Sequence, residues 1–306
     1  MKACFALADR ARPFAGLDER ATARAAFDFF GAAVEVRASS DALLERLRRV
    51  YRNFTVPRAA PGAARMLLLE PQASGGDYVL IADWFAWGMR IANDSLLHYY
   101  ASKLLRLWVV EQCDPEMATL HAASLAGPAG GGVVLLGEAA AGKTTLTLRL
   151  IERGFRYLSD DTTCIRRRDL TCVPFPMAFV MRAGRGRPDI ELLDEPRWLL
   201  DRWNAVGTAF RPAALYFLGA YPAAAPGELN RIAPADAALR VLRNLVMPLG
   251  ADADAYTTAP HNFDFACRLA LATDSAEVDS RDLDRCLNII LADYRLRFPA
   301  PSEGAA

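Results

Sequence analysis

The sequence predicts an α/β fold, built on a strand, a glycine-rich turn and a helix, with an α+β region ahead of it. Three observations carry this. The 306 residues exceed one ordinary domain. With 53% apolar and 24% charged residues, the chain can bury a core, which excludes disorder as its main state. From His121 onward the pattern becomes strand, turn, helix, strand, the grammar of a parallel sheet covered by helices.

The elements follow in order. Ala32 to Arg37 alternates like a short strand, and Asp41 to Tyr51 predicts a helix with Leu43, Leu44, Leu47 and Val50 on one face and Asp41 as N-cap. Met66 to Glu70 and Tyr78 to Trp84 read as two strands of a hairpin joined through the turn-rich 72–77. A long helix is expected from Asp94 to Gln112, with Leu97, Tyr100, Leu104, Leu107 and Trp108 at helical spacing. Residues 114–116 mark a candidate boundary, giving an N-terminal α+β region over 1–118, a catalytic domain over 119–298 and a disordered tail over 299–306. Later elements are a strand over Ala213 to Gly219 and helices over 234–245, 262–273 and 280–294, the last capped by Asp279 or Ser280.

Charge and cysteine usage narrow the function classes. The 36 basic side chains balance 36 acidic ones, which argues against a nucleic-acid clamp or a polybasic membrane binder. No apolar run approaches the ~18 residues of a membrane helix. The opening apolar stretch is too short for a signal-peptide core. The six cysteines form no Cys-x-x-Cys pair, so reduced thiols in a cytoplasm are expected.

The informative stretch is the apolar Gly132 to Leu136 followed by Gly137-Glu138-Ala139-Ala140-Ala141-Gly142-Lys143-Thr144-Thr145. It satisfies G-x-x-x-x-G-K-[ST] after a strand and before a helix, the context that a phosphate loop requires. Gly137 and Gly142 let backbone amides turn inward around an anion, and the following helix points its positive end at the phosphates. Lys143 would reach the β- and γ-phosphates, and Thr144 would place its hydroxyl on Mg²⁺. This chain's own residue frequencies give roughly one chance match in a thousand such sequences. Only three lysines stand against thirty-three arginines, and one of the three is at the position that needs a compact ammonium.

The loop helix should end at Arg153-Gly154, with Gly154 in the C′ position. Phe155 to Leu158 then forms a strand whose end lies on the same sheet edge as the loop, because a βαβ crossover keeps its strands parallel. Ser159-Asp160-Asp161 arrives there. One carboxylate can take the proton of an attacking hydroxyl while the other holds Mg²⁺.

His121, the loop from Gly137 to Thr145, Arg153-Gly154 and Ser159-Asp160-Asp161 together resemble the kinase core of bacterial HPr kinase/phosphorylase over about residues 119–182. The resemblance implies an ATP- and Mg²⁺-dependent serine kinase with a P-loop core. Asp160 would be base in the forward reaction and acid in reverse, Lys143 and the loop would hold ATP, Thr144 and Asp161 magnesium, and His121 would line the site. It also implies a peptide or small-protein acceptor, phosphorylase activity and homo-oligomers. The family's glycine-rich signature after the core is absent, replaced by 181–187 with Arg182, Arg185 and Arg187. The chain is more similar to proteobacterial HPr-kinase-related proteins encoded with small peptide-binding chaperones. Without the resemblance, a small-molecule kinase or an ATPase that transfers no phosphate remains open.

Overall fold

The computed structural model describes residues 3–6, 14, 16–85, 87–182, 191–194, 197–200, 206–220, 229–248 and 251–299. It is a mixed α/β protein whose chain forms two compact units, Met1–Cys113 with Met177–Arg202, and Asp114–Pro176 with Trp203–Ala306. Among the described residues no helix is long and apolar enough to cross a membrane.

The first unit holds strands β1 (Ala3–Ala6), β2 (Ala23–Phe29) and β3 (Ala32–Ala38), helix α1 (Asp41–Val50), and strands β4 (Thr55–Val56), β5 (Ala64–Leu69), β6 (Tyr78–Ala82) and β7 (Trp87–Ile91). Helix α2 (Asp94–Cys113) closes this stretch. The strands make one sheet in the order β1-β7-β6-β5-β3-β2-β4. In β3 burial alternates, with Val34 and Val36 inward, as a strand with one covered face requires. The hairpin of β5 and β6 is antiparallel, as the sequence predicts. Asp41 is the first residue of α1 instead of its cap; Ser40 holds that place in extended conformation without a side-chain bond.

The second unit begins with β8 (Met117–Leu120), β9 (Ala122–Ala126), β10 (Gly132–Gly137), α3 (Lys143–Glu152), β11 (Arg156–Ser159), β12 (Thr163–Arg166) and β13 (Thr171–Val173). Strands β14 (Phe179–Arg182), β15 (Glu191–Asp194) and β16 (Arg197–Leu200) form a separate small sheet in the first unit. Of the predicted arginine loop, Arg182 ends β14, whereas Arg185 and Arg187 lie outside the described residues, as does 300–306 of the tail. The second unit resumes with β17 (Ala214–Gly219), β18 (Asn230–Arg231), α4 (Pro234–Arg243), α5 (Ala253–Thr258), α6 (Pro260–Ala272), β19 (Asp274–Asp279) and α7 (Leu283–Arg297).

Its six-stranded sheet runs β11-β9-β10-β17-β19-β18, and a three-stranded sheet runs β13-β12-β8. Strand β10 is buried along Val133 to Leu136, as a strand covered on both faces must be. Val133 and Leu135 join the core with α3 and α7, and Val134 and Leu136 join the core with α4 and α6.

Strand β11 runs in the direction of β10, as the sequence predicts, with β9 between them, antiparallel to both. Two expectations need correction. Helix α7 starts at Leu283, where Asp282 caps it through bonds from the Asp284 and Arg285 amides; Asp279 instead holds a turn by accepting from the Arg281 amide. Helix α6 starts at Pro260, a residue suited to a first turn that lacks amide partners.

Candidate active site

Two bends in the chain build the site. His121 is the one residue between β8, in the three-stranded sheet, and β9, in the six-stranded one. Residues 160–162 make the matching passage from β11 to β12. Because Ser159 pairs with Ser124 and Thr163 with Leu120, the bends face each other. Strand β9 is antiparallel to β10 with Ala122 opposite Leu136, so His121 arrives beside Gly137, where the loop begins.

The loop itself is open at its crest and tight at its ends. Glu138, Ala139 and Ala140 are exposed. A Cβ at Gly137 would lie 2.7 Å from the Leu218 carbonyl oxygen, and one at Gly142 would lie 2.6 Å from Leu283 Cδ2. Gly142 has φ +96°, and as the N-cap of α3 it brings no side chain to cover the first amides of that helix. Ala140, at φ +69°, adopts a conformation that costs a non-glycine residue on the order of 1 kcal/mol, and such strain collects at ligand-binding turns. Gly142→Ala is expected to destabilise the chain by roughly 2–3 kcal/mol through backbone strain and the clash with Leu283. Thermal unfolding checks this, and an unchanged midpoint would show that α7 yields.

Lys143 is 6% exposed and its ammonium is fully engaged. It donates to the Gly137 carbonyl at 2.7 Å and the Glu138 carbonyl at 3.1 Å, and meets His121 Nε2 at 3.0 Å. Burial lowers its pKa, against the opposing pull of Asp161 and Asp160. On the other side of the imidazole, Nδ1 lies 3.0 Å from Asp161 Oδ1. A carboxylate only accepts, so Nδ1 carries the proton and Nε2 accepts from the lysine. Asp161 reaches this position at φ +65°, a left-handed conformation that Asp tolerates better than most residues.

Asp160 is the buried member of the pair. Its Oδ2 accepts from the Thr144 hydroxyl at 2.8 Å, while Oδ1 is buried with no partner. Burial, and then the neighbouring charge of Asp161, push its pKa up to about 6. Thr145 follows in the first turn of α3, half-buried.

Beneath the acid turn lies a hydroxyl chain that the sequence reading missed. Thr163 Oγ1 donates to the Ala122 carbonyl at 2.9 Å. Its proton is thereby used, so Ser159 must donate to Thr163 at 2.8 Å and Ser124 to Ser159 at 2.6 Å. Ser124 lies within the otherwise apolar β9 and Thr163 opens β12, and only their pairing in the fold shows that the hydroxyls meet. His121 is fixed similarly, its amide donating to the Asn244 carbonyl at 2.7 Å.

No family model matches the chain, and no curated protein matches it. Among solved structures, the chain is similar to the Hpr(Ser) kinase/phosphatase from Coxiella burnetii, with 15% identity, a TM-score of 0.32, and coverage of 58% of this chain and 91% of that one. A likeness of that size assigns neither activity nor substrate.

The structure joins loop and acid turn through two separate sets of contacts, Lys143–His121–Asp161 and Thr144–Asp160. Among the described residues, no group of three or more His, Cys, Asp or Glu is arranged to hold a metal ion by side chains alone.

Proposed function

We propose that the chain is an ATP- and Mg²⁺-dependent phosphotransferase acting on a Ser or Thr hydroxyl of a peptide or small protein. One observation supports it most: the loop and the acid turn are joined by the Thr144–Asp160 bond and the Lys143–His121–Asp161 chain. A phosphate loop that served only as an anion pocket has no use for two acids at its mouth.

The residues fit both groups. Glycines at 137 and 142 let the loop pack closely against Leu218 and Leu283, and Lys143 with the α3 amides supplies the positive lining. Thr144 with Asp161 offers the hard oxygen donors that Mg²⁺ takes, one or two from protein and the rest from phosphate and water. When bound, the metal would neutralise charge on the transferring phosphate. Lys143 would hold the triphosphate oxygens, His121 would orient Asp161, and Asp160, its carboxylate made more basic by burial, would accept the acceptor's proton. A homo-oligomer and a peptide-binding chaperone belong to this proposal.

A second allocation of the acids is favoured by the same bond. Asp160 is buried against the hydroxyl expected to ligate magnesium, while Asp161 is 45% exposed on its side chain and paired with His121. In that allocation Asp160 is the metal-side acid and Asp161 with His121 faces the acceptor. Incubation with γ-labelled ATP, magnesium and a library of Ser- and Thr-containing peptides tests the activity. Label on a peptide hydroxyl is expected, and release of phosphate alone would leave an ATPase. Asp160→Asn and Asp161→Asn then separate the roles: whichever loses the magnesium-dependent gain in ATP affinity is the metal-side acid.

A further inference from the structure

The geometry points to His121 as a positioning residue that couples the loop lysine to Asp161, so that a triphosphate entering the loop must break the Lys143–His121 bond before Lys143 can hold it. The inference rests on the phosphate-loop reading and adds to it a link between nucleotide and acid turn.

An ammonium has three donors, and in this structure all three are used: two on loop carbonyls, one on His121 Nε2. A triphosphate seated on the loop competes for those donors. The two carbonyls lie in the loop itself, at Gly137 and Glu138, and the third partner belongs to a different strand junction. Of the three bonds, the one to His121 therefore spans loop and acid turn. Releasing it leaves Nε2 without its donor while Nδ1 still holds Asp161. The acid turn thus changes its hydrogen bonding when the loop fills. The left-handed backbone at Asp161, a strained placement, is what brings its carboxylate within reach of the imidazole.

Two substitutions divide the histidine's two bonds. An asparagine amide nitrogen stands near the place of Nδ1, and a glutamine side-chain oxygen near that of Nε2. His121→Asn keeps the Asp161 side and drops the lysine; His121→Gln keeps the lysine acceptor and drops Asp161. Binding of tripolyphosphate without metal is measured by calorimetry. His121→Asn is expected to bind about fivefold more tightly than the unaltered chain, since one bond to the ammonium no longer has to be broken, and His121→Gln to bind as the unaltered chain does. Equal affinities for all three proteins, or weaker binding by His121→Asn, would overturn the coupling.

Nitrogen NMR of the imidazoles gives a readout independent of any ligand, and with three histidines in the chain the signals are assignable. His121 is expected in the Nδ1–H form with Nε2 accepting a bond, and Lys143→Met should shift Nε2 as tripolyphosphate does. An Nε2–H form, or an Nε2 signal indifferent to Lys143→Met, rejects the link while leaving the loop reading intact. Failure of the unaltered chain to bind tripolyphosphate rejects the loop reading, and the coupling with it.

Discussion

Lys143→Met is expected, on the proposed function, to lower nucleotide affinity and phosphate transfer together, with transfer falling by about a thousandfold or more, in line with losing a charge that acts on the developing transition state. The fold is expected to survive. The ammonium is buried and its pKa is lowered by that burial, so replacing it with an apolar chain of similar length removes a desolvated charge. The Glu138 carbonyl it leaves behind is in an exposed residue, where water can replace the lost donor. A thermal midpoint close to that of the unaltered chain, with calorimetric ATP binding gone, is the expected pair of results. Lys143→Arg should fail nearly as badly, because a planar guanidinium cannot direct three bonds to two carbonyls and a ring nitrogen from one point. Undiminished ATP binding by Lys143→Met would sink the loop reading.

Asp160→Asn is expected to separate stability from activity. In the folded chain the carboxyl titrates near 6, against 3.8 for the ordinary group, so the fold holds the proton more tightly between those values. Stability therefore increases as pH falls from about 6 toward about 4, and is lost as pH rises through the same window. At neutral pH the buried charge costs on the order of 2–3 kcal/mol. Asparagine removes that cost and its pH dependence, so urea midpoints at pH 5 and 7.5 should differ less in Asp160→Asn, with the variant more stable at the higher pH. Transfer should fall by about 10²–10⁴ if Asp160 moves the acceptor's proton. Identical pH responses of the two proteins would show that the acid is not desolvated.

Much of this site is legible before any coordinates. Gly137 to Thr145 carries the proposed phosphate-loop reading in its spacing, and Asp160-Asp161 falls at the loop because a crossover keeps β10 and β11 running the same way. His121 is harder to place by periodicity. What brings it to the loop is the antiparallel β9 inserted between β10 and β11, a pairing between sheet strands that leaves no local mark on the sequence. The hydroxyls of Ser124 and Thr163 are invisible for a related reason: each looks like a polar residue in a strand, and only the register shows that they meet. The capping residue was misplaced at α1 and α7 where several Ser and Asp residues adjoin, since any of them can cap and the turn geometry selects one.

The two bends that carry His121 and the acid pair both lie on the seam between the six-stranded and the three-stranded sheet. The glycine loop, by contrast, is rooted wholly in the larger sheet. Fraying of the small sheet on heating would pull His121 and the acid pair apart while the glycine loop stayed whole. Catalytic inactivation would then set in at a lower temperature than loss of nucleotide retention, and the difference between those temperatures measures how firmly the seam is stitched.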